Sequence, residues 1–313
     1  MNSREGRRDH ISTEVGTALP RFPSLHFDLS ATALMFVEDI ASSIVPFNTR
    51  SGTLKAVISG ESSAADRVRV VLASLGGRDR YDAGELVASS IEKVARNLAW
   101  FGRSPYEIAR AKDERDGLLL RGFTPQRLFR FANRWVQLVP MKDRHLWNKS
   151  INWLSVADVW VISMPKELGG YRGYRSILRK LQRSSDLGPR FWRHDLESGI
   201  PLSTNFEFQV YRREIEAFQA RATKRWGWNG RDFSGRNRTE FTQFYRTLTF
   251  RWAQAVLREH IISEFNHLFS RLGIAATISV SGMPLPHEVL YLRQDMKAGN
   301  ISYVRPYEAS SMR

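Results

Sequence analysis

Residues 82–102 read DAGELVASSIEKVARNLAWFG, and residues 159–183 read VWVISMPKELGGYRGYRSILRKLQR. The first stretch predicts a helix over Asp82–Phe101. Leu86, Ile91, Val94, Ala95, Leu98 and Phe101 recur at helical spacing, and Gly102 follows as a C-terminal cap. The second begins with a β-branched and aromatic run ending at Met164-Pro165. It turns at Gly169-Gly170-Tyr171-Arg172-Gly173 and enters a basic helix at Tyr174. Between them lie short β-rich runs, of which Tyr106–Arg110, Gly117–Arg121, Trp135–Val139 and Val159–Ser163 read as strands. The order is helix, β-rich insert, glycine elbow, basic helix.

Working outward, Leu29–Val45 reads as a helix with Ser30 as N-cap, and Leu54–Ile58 as a short strand. Ala64–Leu75 reads as an amphipathic helix closed by Gly76-Gly77, and Phe208–Trp226 as a second basic helix. Thr239–Leu272 is a long helix, Ala275–Val280 a strand, and Glu288–Ala298 a helix ending at Gly299. Gly227–Arg238 (GWNGRDFSGRNR) reads as a mobile loop, carrying Arg231, Arg236 and Arg238. The fold class expected is α+β.

The chain has 313 residues, a formal net charge of +15 and no cysteine. Disulfides, cysteine-ligated metals and a cysteine nucleophile are thereby excluded. The charge points to a polyanionic partner, nucleic acid first, ahead of an anionic membrane surface. No run approaches the ~20 apolar residues of a membrane span, so no membrane partner is expected. The polar N-terminal residues show no apolar signal core and read as an extended arm.

The basic residues cluster. Arg172, Arg175, Arg179, Lys180 and Arg183 mark the helix after the elbow, with Arg190 and Arg193 beyond a break at Gly188-Pro189. Arg212, Arg213, Arg221, Lys224 and Arg225 mark the second basic helix. Arg175, Arg179 and Arg183 stand at i, i+4, i+8 and form a stripe suited to phosphate contact. The interleaved aromatics Trp192, Tyr211, Trp226, Trp228 and Phe233 allow a stacking platform, but the tryptophans read first as core. His260, Glu264 and His267 share one helix face. A di-metal bundle site needs that motif twice plus two further carboxylates, so no metal, cofactor or catalytic residue is expected. No phosphate-binding loop, dinucleotide fingerprint or nucleophile elbow is present.

Three segments carry a family resemblance: Ile91–Ile108 (IEKVARNLAWFGRSPYEI), Ala157–Ile177 (ADVWVISMPKELGGYRGYRSI) and Phe191–Pro201 (FWRHDLESGIP). Gln254–Leu268 and Asp295–Ser302 add weaker likenesses. In this order they resemble portal proteins of tailed bacteriophages, the ring at one capsid vertex through which DNA passes. The resemblance implies a portal-like fold, with long stem helices, a β-rich clip insert and an α/β wing. Residues 1–27 would be the arm, 28–81 the N-terminal part of the wing, 82–104 the first stem helix, 105–170 the clip-like insert and 171–199 the second stem helix. Residues 200–272 would supply the wing helices and mobile loop, and 273–313 a C-terminal segment with a reduced crown. The Gly-x-Ser turn that opens the second stem helix in the family corresponds here to Gly173-Tyr174-Arg175-Ser176, with one extra residue.

By the same resemblance the chain forms a homo-oligomeric ring of about twelve subunits. The ring conducts double-stranded DNA during packaging and ejection, with Arg175, Arg179, Arg183 and Arg190 near the tunnel. It would contact the major capsid protein, the terminase motor and a head–tail adaptor, in the virion at the capsid vertex and in host cytoplasm during assembly. The alternative is a basic nucleic-acid-binding protein acting without a ring. A third reading, an enzyme built on Glu264 and His267, lacks a partner set.

Overall fold

A computed structural model describes residues 29–42, 44–45, 55–75, 82–110, 118–123, 125, 127–139, 141, 150–184, 208–230 and 239–301. It is an α+β chain that divides into two compact units.

The first unit takes its described residues from Ile44–Met164 and Arg258–Met283. It contains β1 (Lys55–Gly60), α2 (Ser62–Ala73), α3 (Ala83–Phe101), β2 (Arg103–Arg110), β3 (Leu118–Gly122), β4 (Leu128–Phe131), β5 (Arg134–Leu138), β6 (Ile151–Ser155), β7 (Val159–Ser163) and β8 (Ala276–Ser281). α3 forms where the periodicity places it. The Asp82 carboxylate accepts from the Glu85 N–H at 2.6 Å, and the Gly102 N–H donates to Leu98 O at 2.7 Å, so both helix ends have partners. Val87, Ile91, Val94 and Leu98 are fully buried, each contributing about 1.5–3 kcal/mol of apolar transfer free energy.

Because Gly102 ends α3 in one residue, β2 starts at once. It lies central in a sheet ordered β3-β2-β7, with Tyr106 opposite Trp160 and their rings 5.3 Å apart. β2 and β3 pair antiparallel, and the turn the sequence predicts between them at Asp113–Gly117 lies outside the described residues. The Ser74 hydroxyl donates to Val71 O and accepts from the Leu120 N–H at 2.8 Å, tying the end of α2 to β3. β4, β5 and β6 form a second antiparallel sheet, and β1 pairs with β8, Ile58 opposite Ile278. Arg103 joins the two three-stranded sheets by donating to the carbonyls of Pro125 and Leu128. β4 and β6 were not anticipated as strands.

The second unit takes its described residues from 28–43, Pro165–Leu257 and Pro284–Arg313. It is helical: α1 (Ala31–Ser42), a 3-10 turn (Lys166–Leu168), α4 (Gly170–Arg183), α5 (Phe208–Ala222), α6 (Glu240–Arg271) up to Leu257, and α7 (Pro286–Ala298). The rest of α6 belongs to the first unit. Ser30 caps α1, its hydroxyl accepting from the Ala33 N–H. α1 ends at Ser42, three residues before the expected Val45. Gln254 donates to the carbonyls of Asp39 and Ile40, near the end of α1.

The core of this unit is aromatic. Phe36, Tyr174, Trp226 and Trp228 are buried, and Phe36 lies 5.6 Å from Trp226 and 5.3 Å from Trp228, ring to ring. Leu248 on α6 packs with Val289 and Met296 on α7, and the Arg293 guanidinium lies over the rings of Tyr245 and Trp252.

Two sequence readings are corrected here. α5 stops at Ala222, four residues short of Trp226. Arg246 closes this end by donating to Ala220 O, the Thr223 hydroxyl, Trp228 O and the Asn229 side chain. A cation at a helix C-terminus also complements the helix dipole. The other correction concerns the expected mobile loop, whose first residues are packed. Gly227 has φ +72°, and a Cβ there would stand 2.3 Å from Arg246 O and 2.6 Å from Thr249 Cβ. Only glycine fits that approach. Trp228 then enters the core. Arg231, Arg236 and Arg238 lie outside the described residues.

Candidate nucleic-acid interface

The interface is built on α4. After β7, Pro165 starts a 3-10 turn, and Gly169 (φ +105°) and Gly170 (φ +62°) take left-handed backbone. The Gly170 N–H donates back to Pro165 O at 2.9 Å, which completes the elbow. α4 therefore starts at Gly170, not after Gly173. Gly173 lies inside the first turn, its N–H on Gly169 O at 3.2 Å. The expected opening of the helix by Gly173-Tyr174-Arg175-Ser176 is corrected accordingly. All three glycines tolerate the turn, but Gly169 and Gly170 are the ones with positive φ.

The fourteen residues of α4, GYRGYRSILRKLQR, include no carboxylate. Tyr174, Ile177, Leu178 and Leu181 form the buried face. Arg172, Arg179, Lys180 and Arg183 are exposed on the opposite face, and Arg175 is half-buried at its flank. At 3.6 residues per turn, Arg172, Arg179 and Arg183 fall within about 20° of one line and span about 16 Å. Arg175 stands about 60° to one side and Lys180 about 80° to the other. The sequence stripe is thus present, with Arg172 nearer its axis than Arg175. Like charges at i, i+4 repel by about 0.2–0.5 kcal/mol per pair, so Arg175–Arg179 and Arg179–Arg183 gain from an external anion.

Arg225, one turn beyond α5, extends this basic surface. A Cβ on Gly169 would stand 3.0 Å from its guanidinium Nη1, so the Arg225 head lies over the elbow. No sequence signal put Arg225 beside α4; packing of α5 against α4 does. Arg213, Arg221 and Lys224 are exposed as well, whereas Arg212 turns its Nε to the Glu216 carboxylate at 3.3 Å. Trp226 and Trp228 belong to the core, as read from the sequence, and Tyr211 is half-buried. Arg190, Arg193, Trp192 and Phe233, with the segment Phe191–Pro201, lie outside the described residues.

The Glu264-Phe265-Asn266-His267 segment serves another purpose. His260 Nε2 lies 2.9 Å from Ser163 O. Asn266 accepts from the Ile278 N–H at 2.8 Å and donates to Ile278 O at 3.1 Å, as a neighbouring strand would. Among the described residues no group of three or more His, Cys, Asp or Glu could hold a metal ion. No helix of the described residues is long and apolar enough to cross a membrane. No known protein family matches the chain, and no curated protein matches it.

Proposed function

We propose that this chain is a portal-type ring subunit that conducts double-stranded DNA through a capsid vertex. The observation that carries the reading is the acid-free basic face of α4. Such a face offers several cations at fixed spacing, each able to pair with a backbone phosphate. It suits contacts that are numerous, weak and indifferent to sequence, as DNA sliding requires. The order helix α3, two small sheets, glycine elbow, basic helix α4 agrees with the resemblance. A closed ring repeats the face in every subunit, so weak contacts sum. The ring would dock the terminase motor, the head–tail adaptor and the major capsid protein, and the chemistry of packaging would reside in the motor.

Native mass measurement and negative-stain imaging of the purified full chain test this. Closed rings of about twelve subunits support it. A monomer or dimer at all concentrations, binding DNA through the same α4 face, supports the ringless nucleic-acid-binding protein instead.

A further inference from the structure

The sheet β4-β5-β6 leaves one face rich in exposed rings. Its register sets Phe129 opposite Val136 and Val136 opposite Trp153, so these three side chains share a face. Phe131 and Arg134, paired with each other one step along, share it too. Phe131 is 67% exposed, Phe129 55% and Trp153 52%. Core-forming aromatics would not remain half in water, since burying each is worth several times thermal energy. Leu138 and Ile151, paired at the far end, are also exposed. None of the described residues of the three strands is a carboxylate.

We infer that this sheet face is a stacking platform for single-stranded nucleic acid, distinct from the duplex contact on α4. Three considerations select this occupant. The rings are separated: Phe129 and Phe131 stand about 7 Å apart along β4, and Trp153 about 10 Å away across two strand spacings. Splayed bases fill such gaps one per ring. Arg134 lies on the same face, where a backbone phosphate or a cation–π contact uses it. With no carboxylate among the described residues of the three strands and a net charge of +15 on the chain, the charge favours a polyanion there. A duplex keeps its bases stacked on one another, so it has no free ring faces for this platform.

The test uses the full chain with a fluorescently labelled oligothymidine strand and, separately, a duplex of equal length. Phe131→Ala and Trp153→Ala each weaken single-strand binding by about five- to a hundredfold. Phe131→Tyr and Trp153→Phe retain it, and all four variants bind the duplex like the parent. Circular dichroism confirms the fold, which exposed positions tolerate. The proposal is overturned if the alanine variants bind the single strand as tightly as the parent. It is also overturned if single-strand and duplex binding fall together. Dissociation of an assembly by Phe131→Ala or Trp153→Ala, with single-strand affinity unchanged, overturns it in favour of a protein-covered face.

Discussion

The indole N–H of Trp228 donates to the Asp39 carboxylate at 2.8 Å, joining residues 189 positions apart in the chain. Trp228 is buried, so the bond lets the indole enter the aromatic core with its one donor satisfied. Replacing Asp39 with Ala leaves that donor without its partner, which costs about 1–3 kcal/mol. Asp39→Asn keeps an acceptor and costs less. Urea unfolding of the two variants, followed by tryptophan fluorescence, checks the order; equal stability of Asp39→Ala and the parent would refute the role.

The second expectation concerns α4. Replacing Arg172, Arg179 and Arg183 together with Gln removes the cations nearest the axis of the basic face. Duplex affinity falls by about the same factor on unrelated sequences, and the logarithmic salt slope flattens by about 0.9 per lost phosphate contact. Arg175→Gln, at the half-buried flank, changes the slope less. A triple variant with altered sequence preference, or an unchanged slope, would remove α4 from the DNA contact.

The sequence makes α3 and α4 legible for the same physical reason. Each has a continuous apolar stripe at helical period, and α3 adds an Asp cap at one end and a Gly cap at the other. β4 and β6 escape because they are four and five residues long and carry bulky apolar side chains on their exposed face. Alternation then assigns no inner side. The arginines of α4 are readable from the absence of acid on the helix. Arg225 is not, because its place over Gly169 follows from packing of separate elements. Nor is the role of Asn266, whose partner Ile278 lies on another element twelve residues on.

Asn266 therefore supplies the third expectation. Ile278 is buried, and Asn266 pairs both its N–H and its C=O. Asn266→Ala leaves two backbone groups without these partners and destabilises the first unit by about 2–4 kcal/mol, counting roughly 1–2 for each. Glu264→Ala with His267→Ala, by contrast, changes stability by about 0.5 kcal/mol or less per site. Thermal unfolding ranks them, and elemental analysis checks for metal. Stoichiometric metal lost in the double variant would return the segment to a ligand role.

The fourth expectation is alkaline instability centred on Tyr174 and Tyr106. Burial raises both phenols above the ordinary tyrosine value, Tyr174 well above it, because the phenolate has no water in the core. For Tyr106 the Ser104 side chain, and then the Asn97 amide donating to its oxygen at 3.2 Å, offset part of that. A group with a raised folded-state pKa favours the native state fully below the unfolded value, here about 10. That contribution is lost as pH rises from there through the folded value. Stability should thus decline with rising pH from about pH 10 upward, and these two phenols should ionise only as the protein unfolds. Tyr174→Phe removes one proton from that linkage, so its stability falls less steeply over the same range. Spectrophotometric phenolate titration, run beside urea unfolding at each pH, measures both quantities. If Tyr174→Phe loses stability above pH 10 as steeply as the parent, the Tyr174 phenol is not the linked group.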